Sequence, residues 1–124
     1  MQLLAIWQGV VVYVNFIHKT YTLMLEMRPT CEHCDKPLPN ESNEAMICTF
    51  ECTFCADCVN DVLSNVCPNC GGGFEKRPTR PTNCITVNCV ENYPLQTEKK
   101  HRPVVMEQFK PVLDTFINID PRRR

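Results

Sequence analysis

Cys31-Glu32-His33-Cys34, Cys48-Thr49-Phe50-Glu51-Cys52-Thr53-Phe54-Cys55-Ala56-Asp57-Cys58 and Cys67-Pro68-Asn69-Cys70 decide the fold of this chain. Three separate C-x2-C pairs, at Cys31/Cys34, Cys55/Cys58 and Cys67/Cys70, fall within forty residues, with Cys48 and Cys52 between the first two. Two residues between cysteines let the backbone turn so that both sulfurs face one ion, ~2.3 Å from Zn²⁺, and two such knuckles complete a tetrahedron. At ~45 residues, apolar burial seldom outweighs chain entropy without metal, disulfides or a partner. The spacing therefore predicts a small zinc-stabilised α+β domain with two Zn²⁺ per chain, each held by four thiolates.

An even cysteine count in a short chain also fits a disulfide framework, which normally accompanies secretion. Met1-Gln2-Leu3-Leu4 places no Lys or Arg before its apolar run, and no small-residue cleavage site follows. The expectation is a reducing, cytoplasmic setting with thiolates on metal.

Outward from the cysteines, Ala45-Met46-Ile47-Cys48-Thr49-Phe50 reads as a short strand, and Val59, Val62 and Leu63 sit at i, i+3 and i+4, the buried stripe of a short helix. A helix N-terminus favours thiolate. The knuckle at Cys55 and Cys58, opening that helix, is therefore matched with Cys31 and Cys34 as a first, treble-clef site. Cys48, Cys52, Cys67 and Cys70 then form the second, and the sites interleave as a cross-brace. A sequential arrangement, with Cys31, Cys34, Cys48 and Cys52 on one ion, is the competing pairing. Gly71-Gly72-Gly73 reads as a flexible exit.

Charge divides along the chain. Residues 1–74 carry three basic against eight acidic side chains, and residues 75–124 carry ten against six. Eight thiolates around two Zn²⁺ would add further negative charge, which argues against a domain face that grips phosphate. Nucleic acid is thus an unlikely ligand, and the closing Arg122-Arg123-Arg124 reads as a solvated tail.

Three segments are expected: residues 1–23, an apolar extension; 24–77, the two-zinc domain; and 78–124, a proline-rich basic tail. Leu3 to Ile17 favours strand, turn, strand about Gln8-Gly9, is too short and too interrupted for a membrane span, and Met24 offers an alternative start. In the tail, Pro78, Pro81, Pro94, Pro103 and Pro111 point to extended or disordered structure, with one short element over Val112 to Ile117. Both termini are thus read as flexible. Cys84 and Cys89 lack further ligands nearby and read as free thiols. His33, inside the first knuckle, reads as a surface side chain.

The cysteine order, Thr53-Phe54-Cys55 before a knuckle and Cys67-Pro68-Asn69-Cys70 at the close resemble the RING finger, with Cys52 where most have histidine. That resemblance implies a RING-like cross-brace and recruitment of a ubiquitin-conjugating enzyme. The chain departs from it at Asp35, where an aliphatic contact is usual, in the absence of a helix tryptophan, and at Gly71-Gly72-Gly73, which supplies no cation. The chain resembles more closely a family of short bacterial cysteine-rich proteins of unknown function, through Met24-Leu25-Glu26-Met27-Arg28-Pro29, the Cys48 to Cys58 run and Arg77-Pro78-Thr79-Arg80-Pro81. That likeness implies metal binding and brings no activity.

Four thiolates close a zinc shell, whereas catalytic zinc keeps an open position. The expectation is a structural zinc domain without enzymatic activity that acts as an interaction module for an unidentified protein partner, with no membrane role. The alternatives are a RING-type ubiquitin-like transfer adaptor, and a thiol or zinc redox or metal-handling protein.

Overall fold

Three short strands and two helices carry the fold in the computed structural model, which describes residues 24–124. The expectations for residues 1–23 lie outside the described residues. Strand β1 (Ala45–Ile47) is central, pairing antiparallel with β2 (Thr53–Cys55) and with β3 (Glu75–Lys76). Met46 faces Phe54 on one side and Lys76 on the other, which puts the chain just after the last knuckle beside the chain that precedes Cys48.

The strand expected over Ala45 to Phe50 stops at Ile47 because the backbone turns back to return Cys52 to Cys48. Cys48 N donates to the Cys52 carbonyl at 3.2 Å and Glu51 N to the Cys48 carbonyl at 3.0 Å, with Glu51 at φ 67°. Helix α1 (Ala56–Asp61) follows β2 without a loop. Cys55 is its N-cap, its sulfur accepting from Cys58 N, and Asp57 in the first turn suits the positive end of the helix dipole. Val59 and Leu63 are buried as the periodicity requires, and Val62, the C-cap, packs against the core edge. Phe54 and Phe74 meet edge to face, ring centroids 5.5 Å apart, and join these elements across the sheet.

The tail is not extended throughout. Helix α2 (Met106–Phe116) begins before the short element expected at Val112 and accommodates Pro111 in its second turn at the loss of one intrahelical N–H bond. Apolar residues on one face outweigh the proline: Phe109 is buried in the core, and Val112, Leu113 and Phe116 pack against it. A 3-10 turn (Pro121–Arg123) ends the chain. Gly71 and Gly73 are where the docked tail approaches most closely. A Cβ at Gly71, which has φ +79°, would lie 2.4 Å from Phe116 Cε2, and one at Gly73 would lie 2.8 Å from Pro121 Cβ. The run read as a flexible exit is a place where the tail approaches closely.

The Arg77-Pro78-Thr79-Arg80-Pro81 stretch is a clasp. Arg77, only 3% exposed, donates to the carbonyls of Arg28 (2.7 Å), Leu38 (2.9 Å) and Pro39 (3.0 Å). Arg80 donates to the Leu25 and Tyr93 carbonyls, and its backbone exchanges bonds with the Asn40 amide. Among the described residues no helix is long and apolar enough to cross a membrane.

Candidate metal centres

Cys31, Cys34, Cys55 and Cys58 bring their sulfurs within 4.8 Å of one another, and Cys48, Cys67 and Cys70 do the same elsewhere. These are two groups that can hold metal ions. Their membership is interleaved along the chain: the first group joins the knuckle before β1 to the one that opens α1, and the second joins the end of β1 to the knuckle after α1.

The first group is set by backbone. Cys31 N bonds the Lys36 carbonyl at 2.9 Å, and Asp35 N bonds the Cys31 carbonyl at 3.0 Å with Asp35 at φ 64°, a conformation that Asp tolerates better than a branched residue. Cys34 N points at Cys31 Sγ and Cys58 N at Cys55 Sγ, each at 3.5 Å, so each knuckle aims one N–H at a sulfur. Cys34 Sγ and Cys55 Sγ stand 3.7 Å apart. A tetrahedron with corners ~2.3 Å from its centre has edges of about 3.8 Å, so this spacing fits Zn²⁺.

In the second group Cys48 Sγ accepts from Phe50 N at 3.3 Å and Cys70 Sγ from Gly72 N at 3.4 Å. Cys52 stands outside the three-sulfur spacing, and its Sγ accepts from Asn69 Nδ2 at 3.2 Å. Asn69 is a support that the spacing alone could not identify, although it lies between two knuckle cysteines.

The sulfurs divide protons among themselves. Hydrogen bonds from Cys52 and Cys67, assisted by backbone N–H groups, pull the Cys48 thiol down to about 3 against the effect of burial. Cys67 is pushed up by the hydrogen bonds it gives to Cys48 and Cys52 and then by burial. In the first group burial, followed by the hydrogen bond to Cys55, pushes Cys58 up; burial likewise raises Cys55. Burial also opposes charge on Cys34, but the Lys36 N–H and the neighbouring thiols outweigh it and the thiol is lowered. Sulfurs so close together could share a cation, and a soft divalent ion suits an all-sulfur set.

Sequence reasoning missed Glu32. Only 2% exposed, it lies inside the first knuckle, bonds Arg28, and accepts from Thr53 N at 2.7 Å. Glu32 N also donates to the Thr53 carbonyl at 3.0 Å, so the first knuckle is fastened to β2 two residues before Cys55. The visible signal was Arg28 four residues before an acidic side chain. His33 is likewise engaged: its Nδ1 accepts from Val104 N at 2.9 Å and its carbonyl meets His101 Nε2 at 3.1 Å. Residues 99–104 thus run along the first knuckle. Arg124 at the chain end bonds the carbonyls of Asn65 (2.7 Å) and Gly71 (3.2 Å) beside the last.

The reading of Cys84 and Cys89 as free thiols is corrected: the two form a disulfide, because a turn brings their Cα atoms to 5.2 Å. The remaining eight cysteines are unpaired thiols.

No solved structure matches the chain. It is 49% identical over 80 residues to an uncharacterised protein of Rhizobium meliloti strain 1021, covering 64% of this chain and 89% of that protein. The family model described as protein of unknown function DUF1272 matches residues 24–80, a span holding all eight free cysteines and the Arg77/Arg80 clasp. The chain belongs to the DUF1272 family of proteins of unknown function.

Proposed function

We propose that this protein is a structural zinc protein with two Zn²⁺ per chain, one held by Cys31, Cys34, Cys55 and Cys58, the other by Cys48, Cys52, Cys67 and Cys70, and that the domain they hold in shape docks a protein partner. The observation that carries the zinc reading is the 3.7 Å separation of Cys34 and Cys55 sulfurs from different knuckles, the edge expected of a zinc tetrathiolate. Cys52 completes the second set by a small sulfur movement away from Asn69. Four sulfurs leave a tetrahedral ion no position for substrate, so the ions act as staples and no catalysis is assigned.

The proposed docking face lies on the side of the Arg77/Arg80 clasp. A mostly apolar cavity of about 430 Å³ is lined by Met24, Met27, Pro78, Pro81 and Tyr93, and a more polar cleft of about 690 Å³ shares Met24, Leu25, Arg80 and Tyr93 with it. Phe50, 72% exposed, and Glu51 border the cleft. An apolar floor beside a more polar cleft suits a partner segment with an apolar anchor and a polar flank. Phosphate binding at this face fits poorly, because Arg77 and Arg80 spend their donors on backbone carbonyls.

Elemental analysis and native mass spectrometry test the first part: two zinc ions and one disulfide are expected, and one ion or none contradicts it. For the second, affinity capture from the native host should return a partner whose binding is lost with chelator and with Phe50→Asp, while Arg122→Ala retains it. Capture that is indifferent to both perturbations contradicts a zinc-shaped docking face.

A further inference from the structure

Two cysteines stand apart from the eight. The Cys84–Cys89 disulfide closes a loop beyond Pro81, and neither metal group includes either residue. Access to the two is unequal, for Cys84 is exposed and Cys89 is 0% exposed. The base of the loop is tied independently of the sulfurs: Val90 N donates to the Pro81 carbonyl at 2.8 Å, and the Cys89 carbonyl accepts from Tyr93 N at 2.9 Å. Opening the disulfide therefore leaves the loop anchored. A partner for the reduced form is already in place, since Glu91 Oε1 lies 3.6 Å from Cys84 Sγ, where it can accept the thiol proton.

We propose that Cys84 and Cys89 form a reversible thiol–disulfide exchange site, with a small thiol as reductant, its disulfide as oxidant, and Cys84 as the sulfur attacked. The incoming thiolate bonds to Cys84 Sγ; the Cys84–Cys89 bond breaks, and its electron pair leaves on Cys89 Sγ, which takes up a proton. A second thiolate attacks the small-thiol sulfur of the mixed disulfide, releasing Cys84, which is protonated in turn. The net change is one protein disulfide and two small thiols converted to two protein thiols and one small disulfide. Oxidation runs the same steps in reverse. Exposure directs attack to Cys84, because the trajectory to a buried sulfur is blocked by the chain. Asn88, beside Cys89, lines the apolar cavity with Met27 and Tyr93.

The test equilibrates the full-length, metal-bound protein in buffers of rising oxidised-to-reduced glutathione ratio, traps thiols by alkylation, and measures bound metal in the same samples. The pair is expected to pass reversibly from two alkylated cysteines to a disulfide with metal content unchanged. Cys89→Ser should accumulate glutathione at Cys84 at least tenfold more than Cys84→Ser does at Cys89. A pair that stays reduced at every ratio, or stays oxidised against excess dithiothreitol, overturns the proposal. So does oxidation that proceeds only through the eight other cysteines with loss of metal, or preferential capture at Cys89. Should Cys89→Ser fail to fold, the unsubstituted protein decides the matter by its redox titration. Because metal is measured alongside, failure of this site and failure of the zinc reading are separate results.

Discussion

Phe116 fills the space that a side chain on Gly71 would need, its Cε2 2.4 Å from the position of a Cβ there. The contact joins the helix of the tail to the knuckle of Cys67 and Cys70, and makes the C-terminal residues part of the domain.

Gly71→Ala is expected to lower stability by ~1–3 kcal/mol, since the added methyl forces the ring or the knuckle to move and the residue also occupies positive φ. Gly72→Ala, whose Cβ meets only Cys70 Sγ at 3.4 Å, should cost less. Thermal melting at fixed metal concentration compares them, because bound metal itself adds to native stability. Equal melting of Gly71→Ala and the unsubstituted protein contradicts the close approach.

Phe109→Ala is expected to cost ~3–5 kcal/mol, the range for emptying a buried aromatic site. Amides of Met106–Phe116 should exchange slowly with solvent, whereas an extended tail would exchange fast. A chain ending at Pro81 holds every metal ligand yet loses this packing, so it should bind metal and melt at a lower temperature.

Arg77→Met removes the donors to three carbonyls and is expected to cost ~2 kcal/mol or more. Arg77→Lys should rescue little, since an ammonium cannot serve three acceptors in one fork. Arg122→Ala, which breaks only an exposed contact to Glu75 at 3.9 Å, should stay within ~0.5 kcal/mol. Urea titration of the metal-bound proteins separates the three.

How much of this could be read beforehand depended on the kind of signal. The grouping of Cys31/Cys34 with Cys55/Cys58 is legible from knuckle geometry and the short helix at Val59, both local features. Helix α2 was obscured by Pro103 and Pro111, and its stability comes from Phe109 and Phe116 meeting residues far away in sequence, which no local pattern encodes. Gly71 and Gly73 carried an ambiguous signal, since glycine serves flexibility and close approach equally. Arg77 and Arg80 were visible as a motif, but counting them as tail charge concealed that their partners are carbonyls. At Cys84 and Cys89 nothing local separates two free thiols from a disulfide five residues apart, which depends on the turn the chain takes between them.

Metal affinity should rise with pH. Without metal, Cys58 and Cys67 keep their protons to higher pH than an ordinary thiol, so an incoming ion must displace those protons and is disfavoured as pH falls. Cys48, held at about 3, is already a thiolate near neutrality and contributes no such competition. Fewer protons should therefore be released at the second site than sulfurs bound. Calorimetry in buffers of different ionisation heat counts them; a pH-independent affinity, or one proton per sulfur, contradicts the division of charge.

The central claim is that two interleaved sulfur sets hold two ions, and cobalt titration of single cysteine-to-serine variants tests it most directly. Cys31→Ser and Cys55→Ser should each weaken the same thiolate-to-cobalt absorption component, Cys48→Ser and Cys67→Ser the other, and a double variant within one set should lose little more than a single one. If Cys31→Ser instead behaves as a pair with Cys48→Ser, and Cys55→Ser with Cys67→Ser, the ions are bound sequentially and the account is contradicted.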